Sequence, residues 1–175
     1  ILESEGPQTF DNMAIEGLVL SRGKVTQPVV FRNCRLIGMV LADIDFEKHV
    51  LFDNCAFENT FSVSRCEFRD GLSMVSCNMV YTRMEGTTVH RMLELNGSRF
   101  TQMFDIEGCT MDNLDFTGAI VLESFNMVGA TLKGGVCFNR STVNGRLTET
   151  FTNDWKKARK MLVRNNDVSG LAEVR

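Results

Sequence analysis

The chain has 175 residues, of which 43% are hydrophobic and 23% are charged, and its formal net charge is −3. A chain of this length fits one domain with a sizeable buried core. No second globular domain is needed at this length. The longest apolar runs are far shorter than the roughly 20 residues that cross a bilayer, so the sequence predicts no membrane span.

A short pattern returns thirteen times along the chain, at intervals of ten or eleven residues. A copy has a small residue (in all but two cases, Met13 and Ile44), any residue, a large apolar residue, and two polar or turn-forming residues. The first position is occupied by Met13, Gly23, Cys34, Ile44, Cys55, Cys66, Cys77, Thr87, Ser98, Cys109, Ala119, Ala130 and Ser141. An apolar column follows two residues later, from Ile15 to Val143, and a second precedes it by three residues, from Phe10 to Phe138. Such regularity is typical of repeat architectures.

Within each copy the side chains alternate with the two-residue period of an extended strand, so that Phe52 and Phe57 face inward and Leu51 faces outward. Residues such as Asn33, Asn54 and Gly97 fit the tight corners between strands. Four sides and four corners give coils of 21 or 22 residues, which align as 29–49, 50–71, 72–92, 93–113 and 114–135. We therefore predict an all-β solenoid of about six to seven stacked coils over residues 1–149.

Five of the copies carry a resemblance to a known family. They are 34–38 (Cys-Arg-Leu-Ile-Gly), 55–59 (Cys-Ala-Phe-Glu-Asn), 66–70 (Cys-Glu-Phe-Arg-Asp), 109–113 (Cys-Thr-Met-Asp-Asn) and 130–134 (Ala-Thr-Leu-Lys-Gly). These segments resemble units of the pentapeptide-repeat family, although that family's favoured Ala-Asp/Asn-Leu triplet is rare here. The resemblance implies a right-handed quadrilateral β-helix.

Five of the six cysteines, all except Cys137, fall on the small inward position of the repeat. Stacked thiols about 4.8 Å apart suit neither a disulfide nor a tetrahedral zinc site, and no Cys-x-x-Cys pair is present. We expect reduced cysteines packed in the core and hence a reducing, cytoplasmic compartment. Cys137 is expected to point outward and to react with thiol reagents.

The sequence offers no catalytic constellation. It lacks a phosphate-binding glycine loop, a nucleophile elbow and a zinc-protease motif. Its two histidines, His49 and His90, fall at predicted corners and are interpreted as solvated turn residues. We expect no catalytic residues, no cofactor, no metal and no small-molecule substrate, and thus no enzyme.

A partner would bind at the outward column. It lies between the inward positions and contains Thr9, Val19, Val30, Val40, Leu51, Ser62, Ser73, Arg83, Glu94, Asp105, Asp115, Asn126 and Cys137. Val30 and Leu51 are predicted neighbours on one side, and Val19 and Val40 on the opposite side, which makes the first coils unusually apolar outside. These four residues are candidate partner-binding residues, and a homodimer through them is one option. Farther along, the outward column becomes acidic.

Residues 150–175 have a different pattern, with six basic and three acidic residues. Asn153 and Asp154 fit a helix cap, and Trp155, Ala158 and Met161 then share one face. We predict a short helical extension that caps or links the solenoid, with Trp155 covering the last coil as a further candidate contact. Residues 1–149 contain the other 13 basic and 19 acidic residues, and their net charge is therefore −6.

Three functions fit these features. The first is a non-catalytic protein-interaction or scaffold domain, whose partner is another protein or another domain of the same chain. The second, implied by the resemblance, is a DNA-mimicking topoisomerase-binding protein; a nucleic-acid partner is not expected. The third is an accessory domain of a multidomain enzyme or membrane protein whose active part lies beyond residue 175.

Overall fold

The structure is a computed structural model that describes residues 5–144 and the backbone of residues 146–148. This part of the chain contains β-strands and no helix. The strands in chain order are β1 (Gln8–Asp11), β2 (Ala14–Glu16), β3 (Val19–Val25), β4 (Val29–Arg32), β5 (Arg35–Phe46), β6 (Val50–Asp53), β7 (Ala56–Ser64), β8 (Glu67–Phe68), β9 (Leu72–Val75), β10 (Asn78–Glu85), β11 (Thr88–Val89), β12 (Leu93–Glu94), β13 (Arg99–Asp105), β14 (Thr110–Met111), β15 (Leu114–Asp115), β16 (Ile120–Val121), β17 (Ser124–Asn126), β18 (Thr131–Leu132), β19 (Val136–Cys137), β20 (Thr142–Val143) and β21 (Arg146–Thr148).

These strands build a parallel β-solenoid with four sides to each coil. The first side of every coil belongs to a seven-stranded sheet with the order β1-β4-β6-β9-β12-β15-β19, which we call the first face. The other three sides share a fourteen-stranded sheet, because long strands bend around corners. For example, β5 turns at Gly38 and Asp43, whose φ angles are 66° and 55°. Glycine adopts this left-handed conformation without strain and Asp tolerates it better than most residues.

The register between coils confirms the predicted repeat length. On the first face Val29 pairs with Val50, and Val50 pairs with Leu72, which gives steps of 21 and 22 residues. The extra residue enters at a corner, where the register between β5 and β7 shifts after Ile37. Seven strands on the first face correspond to about six full turns. The predicted all-β solenoid is therefore confirmed.

The two predicted apolar columns form the core. From Val25 onward every member is at most 3% exposed, whereas Phe10, Ile15 and Leu20 in the first coil are partly buried. Stacked rings lie at the expected coil spacing, with centroids of Phe31 and Phe52 at 4.9 Å. The solenoid is thus filled by side chains rather than hollow.

The two-column pattern omits a third buried column, at the start of the first and third sides. Its members are Val29, Met39, Val50, Phe61, Leu72, Thr82, Leu93, Phe104, Leu114 and Phe125. Thr82 is its one polar residue, and its hydroxyl donates to Met79 Sδ at 3.2 Å. One fully buried strand residue at the beginning of each first and third side adds this column to the core.

The predicted corner residues are also confirmed. Asn33 and Asn54 both have a φ of 52°, and Gly97 has a φ of 66°. The Asn54 side-chain amide donates to Asn33 Oδ1 at 2.9 Å, so corner asparagines are linked from one coil to the next. Among the described residues, no helix is long and apolar enough to cross a membrane. The predicted helical extension at 150–175 lies outside the described residues.

Candidate functional site

The four predicted apolar contact residues lie in two pairs. Val30 is in register with Leu51 on the first face, and Val19 is in register with Val40 on the third side. Val19 is 61% exposed, whereas the other three are half-buried. The predicted adjacency within each pair is therefore confirmed. Trp155 lies outside the described residues.

The cysteines occupy the positions that the repeat predicts. All six are free, and five are buried. Cys55 and Cys77 donate their S–H groups to carbonyl oxygens of the preceding coil, Phe31 O at 3.5 Å and Phe52 O at 3.4 Å. Burial raises the pKa of Cys109 to about 12, so this thiol is protonated at neutral pH. The five buried thiols pack as small residues of the core.

On the first face, Ser73 connects a histidine to a carboxylate. Its Oγ lies 3.1 Å from His49 Nε2 and donates to Glu94 Oε2 at 2.7 Å. His49 Nδ1 lies 3.0 Å from the carbonyl oxygen of Asp70; a carbonyl oxygen only accepts, so Nδ1 carries a hydrogen. His49 therefore lies at a corner, as predicted, and is half-buried, with partners from neighbouring coils on both ring nitrogens.

The order of these three groups bears on reactivity. In a nucleophilic triad the serine hydroxyl donates to the histidine, which in turn contacts the acid. Here the Ser73 hydroxyl donates to the carboxylate, and Ser73 is only 3% exposed. The arrangement fixes side chains along the face and does not present an activated nucleophile.

The hydrogen-bonded row continues along the first face. Asn96 Nδ2 donates to Glu94 Oε1 at 2.9 Å and to Asp115 Oδ2 at 3.3 Å, and Thr117 Oγ1 donates to Asp115 Oδ1 at 2.7 Å. Thr117 Oγ1 also lies 3.2 Å from Cys137 Sγ. We call the set from His49 to Cys137 the polar row. Its carboxylates Glu94 and Asp115 form no ion pair with any described residue, and the row is therefore acidic.

Cys137 is the one cysteine that is not fully buried. It lies with Met92, Val136 and Asp115 at a surface depression of about 230 Å³. Ligand pockets usually enclose about 300 to 1,000 Å³, so this depression is small for a substrate site. The half-buried Sγ agrees with the expectation that Cys137 points outward.

The fourth side carries a row of alternating charges. Arg69 forms a bidentate contact with Asp45, at 2.7 and 3.1 Å, and also reaches Glu67 Oε2 at 2.9 Å. His90 Nε2 lies 2.9 Å from Glu67 Oε1, and its Nδ1 lies 3.7 Å from Asp112 Oδ2. His90 lies at a corner, as predicted, and remains 33% exposed, with carboxylates of two other coils flanking its ring.

Two further ion pairs link neighbouring coils elsewhere. Arg35 lies 2.6 Å from Glu58, and Arg65 lies 2.7 Å from Asp43. Hydrogen bonds from these guanidinium groups lower the pKa of Glu58 and of Asp43. All four side chains are substantially exposed, so solvent screening leaves each pair only a small contribution to stability.

One carboxylate on the third side is buried, although the outward column predicts it at the surface. Asp105 is 2% exposed and accepts from the Glu107 backbone N–H at 3.0 Å and from Asn126 Nδ2 at 2.9 Å. Arg83 Nε lies 3.7 Å from its other oxygen. Burial raises the pKa of Asp105, against the opposing effect of the Glu107 N–H and the Arg83 charge.

Comparison of the chain with models of known protein families and with curated proteins finds no match. Within the described residues, no group of three or more His, Cys, Asp or Glu side chains is arranged to hold a metal ion. The features that remain are the two apolar pairs and the polar row, all on the outer surface of a filled solenoid.

Proposed function

We propose that the chain is a non-catalytic protein-interaction or scaffold domain of the pentapeptide-repeat type. The observation that carries this proposal is a core filled by side chains, surrounded by flat sides on which chemically distinct residues recur at the coil spacing of about 4.8 Å. A rigid solenoid of this kind binds partners through extended surfaces. The buried small residue that recurs in the repeat supports the family assignment, whereas coils of 21 to 22 residues are longer than that family's ideal coil.

The first face is the surface that best fits a protein partner. Its N-terminal half presents Val30 beside Leu51, and its C-terminal half presents Glu94 beside Asp115. A complementary partner has an apolar strip followed by Lys or Arg side chains. It is another protein or another domain of the same chain, and the buried reduced thiols support a cytoplasmic setting.

DNA mimicry receives less support from the charge distribution. A duplex presents uncompensated phosphates at regular intervals. By contrast, Asp43, Asp45, Glu58 and Glu67 each contact an arginine. Only the polar row offers neighbouring carboxylates without ion-pair partners in the described part of the chain. We therefore place the acidic residues in a protein contact rather than in a DNA-like stripe.

The proposal is tested by capturing binding partners with the purified chain and then titrating each purified partner. Val30→Lys with Leu51→Lys removes the apolar pair, and Glu94→Gln with Asp115→Asn removes the charge of the polar row. Arg99→Gln, at an exposed position outside the first face, is the matched control. We expect each double variant to weaken a genuine partner at least about tenfold, a change of about 1.4 kcal/mol, with the control unchanged.

Two results contradict the proposal, and a third would favour DNA mimicry instead. A purified partner that binds both double variants as tightly as the original chain does not use the first face. Substrate turnover by the purified chain, lost on mutation of Ser73, assigns an enzyme instead. Inhibition of gyrase supercoiling by the chain, relieved by Glu94→Gln with Asp115→Asn, supports DNA mimicry.

A further inference from the structure

The C-terminal half of the first face carries a mainly apolar depression beside two carboxylates. Its lining includes Met92, Asp115, Val136 and Cys137, and Met92 is 39% exposed. These residues belong to three successive coils, so the depression lies on the side of the solenoid and not at its end. With a volume of about 230 Å³ it is smaller than most ligand pockets and suits a single large side chain.

The two carboxylates are held in place but are not neutralised. Glu94 is in register with Asp115 on the neighbouring coil, so the two charges lie about 4.8 Å apart along the stack. One oxygen of each is fixed by a hydroxyl group of the face, since Ser73 donates to Glu94 and Thr117 donates to Asp115. No Lys or Arg side chain of the described residues forms an ion pair with either of them. The pair therefore presents two oriented negative charges to a basic ligand.

The sequence that follows the solenoid carries the opposite charge. Residues 150–175 contain six basic and three acidic residues, whereas the rest of the chain has a net charge of −6. One further coil would place Glu149 and Asp154 at inward positions, because they follow Met127 and Leu132 of the two apolar columns by 22 residues. Unpaired charged side chains are excluded from such a core. The apolar columns therefore do not continue past Glu149 in the sequence.

The path from the last described strand to the depression is short. Strand β21 ends at Thr148 on the third side, and only the fourth side separates it from the first face. A side of three or four residues spans about 10 to 13 Å. Residues 149–155 span up to about 23 Å when extended, so Trp155 can reach the depression of its own chain.

The residues of this segment match those of the face in kind and in spacing. Trp155 is the single tryptophan of the chain and is followed by Lys156 and Arg159. In the helix that the sequence predicts here, residues three apart are neighbours, with about 5 to 6 Å between their Cβ atoms. That distance is close to the coil spacing of about 4.8 Å between Glu94 and Asp115. An aromatic side chain with two basic neighbours thus complements a depression with two acidic neighbours.

We propose that residues 150–175 fold back onto the C-terminal half of the first face of their own chain. Trp155 occupies the depression and covers Cys137, and the two basic residues after it lie beside the carboxylates of Asp115 and Glu94. This intramolecular contact does not rest on the proposed protein partner, which would compete with the segment for the polar row. The apolar pairs of the first coils stay uncovered.

Two measurements on the full chain follow the contact. Fluorescence of Trp155 reports whether the indole is buried, and we expect emission at short wavelength with weak quenching by acrylamide. The rate at which a thiol reagent modifies Cys137 reports whether its Sγ is covered, and Cys137→Ser assigns that rate to this residue. Trp155→Ala should raise the rate at least about tenfold, because burying one aromatic side chain is worth about a factor of ten or more.

Charge reversal in the segment tests its basic residues. Lys156→Glu with Arg159→Glu changes no described residue, so the fold of the solenoid is not at risk. The double variant replaces two attractive contacts by two repulsive ones. We expect it to increase the quenching of Trp155 and to raise the modification rate of Cys137 about fivefold or more.

Charge reversal on the face gives the complementary test. Glu94→Lys with Asp115→Lys should release the segment to the same extent, and combining this change with the reversal in the segment should restore the contact. Glu16→Lys with Glu123→Lys makes the same change in net charge at exposed positions outside the first face, so this control should have no effect. Circular dichroism shows whether each variant is folded. If the face variant is unfolded, the reversal in the segment decides by itself.

Three results overturn the proposal. The first is solvent-exposed Trp155 fluorescence in the original chain. The second is a buried Trp155 with a Cys137 rate that neither Trp155→Ala nor the reversal in the segment changes, which places the segment elsewhere. The third is protection of Cys137 that grows with protein concentration between about 1 and about 100 μM, which assigns the contact to the segment of a second copy. Protection that is constant over this range agrees with a contact within one chain.

Discussion

Replacing Phe52 by alanine tests the internal stack at a ring that has three aromatic neighbours. Phe52 is 0% exposed and stacks on Phe31 with centroids at 4.9 Å. Its ring also meets the rings of Phe57 and Phe61 edge-on, at 5.1 and 5.6 Å. Because the ring contacts three aromatic neighbours, removing it should lower the free energy of unfolding more than removing most other core side chains.

The expected loss in the free energy of unfolding follows from the cavity that the change creates and from the ring contacts that it removes. A buried Phe→Ala change costs about 3 to 5 kcal/mol, and each aromatic pair adds about 0.5 to 1.5 kcal/mol beyond area burial. We expect Phe52→Ala to lower the free energy of unfolding by about 4 to 5 kcal/mol. Phe10→Ala is the matched control, since Phe10 occupies the same column, is only partly buried, and stacks on Phe31 alone at 4.8 Å. That change should cost about 1 to 2 kcal/mol.

Urea unfolding followed by circular dichroism measures both changes. The loss should appear as a lower midpoint, because the surface exposed by complete unfolding changes little. If Phe10→Ala and Phe52→Ala lower the free energy of unfolding equally, the two rings are equally enclosed, contrary to their burial in the structure. A cost below about 1 kcal/mol for Phe52→Ala would mean that the ring is not enclosed.

Four further predictions concern the thiols, the polar row and the charged row. In the native state a thiol reagent should modify Cys137 first and leave the five buried cysteines until unfolding; Cys137→Ser should abolish the native reaction. Because the pKa of Cys109 is raised from 9.0 to about 12, its contribution to stability is complete below pH 9 and is lost as pH rises towards 12, and Cys109→Ala should flatten that part of the stability profile. Ser73→Ala should lower the free energy of unfolding in urea by about 1 to 3 kcal/mol, since it leaves His49 and Glu94 without their shared partner. Its control is Ser62→Ala, at the half-buried equivalent position of the third side, which should cost less than about 0.5 kcal/mol. Arg69→Ala should lower the urea midpoint only slightly, and the difference should shrink in high salt because the pairs with Asp45 and Glu67 are exposed.

The core could be predicted from the sequence because its determinants are local. A two-residue strand period, together with an interval of ten or eleven residues, is enough to place Phe31, Phe52 and Leu41 inside. Even the coil boundaries agree with the observed register. The third buried column is less evident from the sequence because a polar Thr82 interrupts it and because its members stand next to corners of variable length.

The environment of the surface residues could not be predicted in the same way. Ser73 and Asp105 belong to the outward column, yet they are 3% and 2% exposed. Their covering groups come from other coils, as the separation of 24 residues between His49 and Ser73 shows. Such contacts depend on the inserted corner residues and on the rotamers of long side chains, neither of which a repeat period specifies.

The most direct test of the stacked coils is a pair of distances between nitroxide labels on one corner column. The label sites are Arg32, Asp53 and Asn139, introduced as cysteines in a Cys137→Ser background, with the buried cysteines left in place. Arg32 lies five coils from Asn139 and Asp53 lies four, so backbone separations of about 24 and 19 Å are expected, with a difference of about 4.8 Å for a shift of 21 residues. Equal distances, or a difference of tens of ångströms, would contradict the stacking of one coil directly on the next.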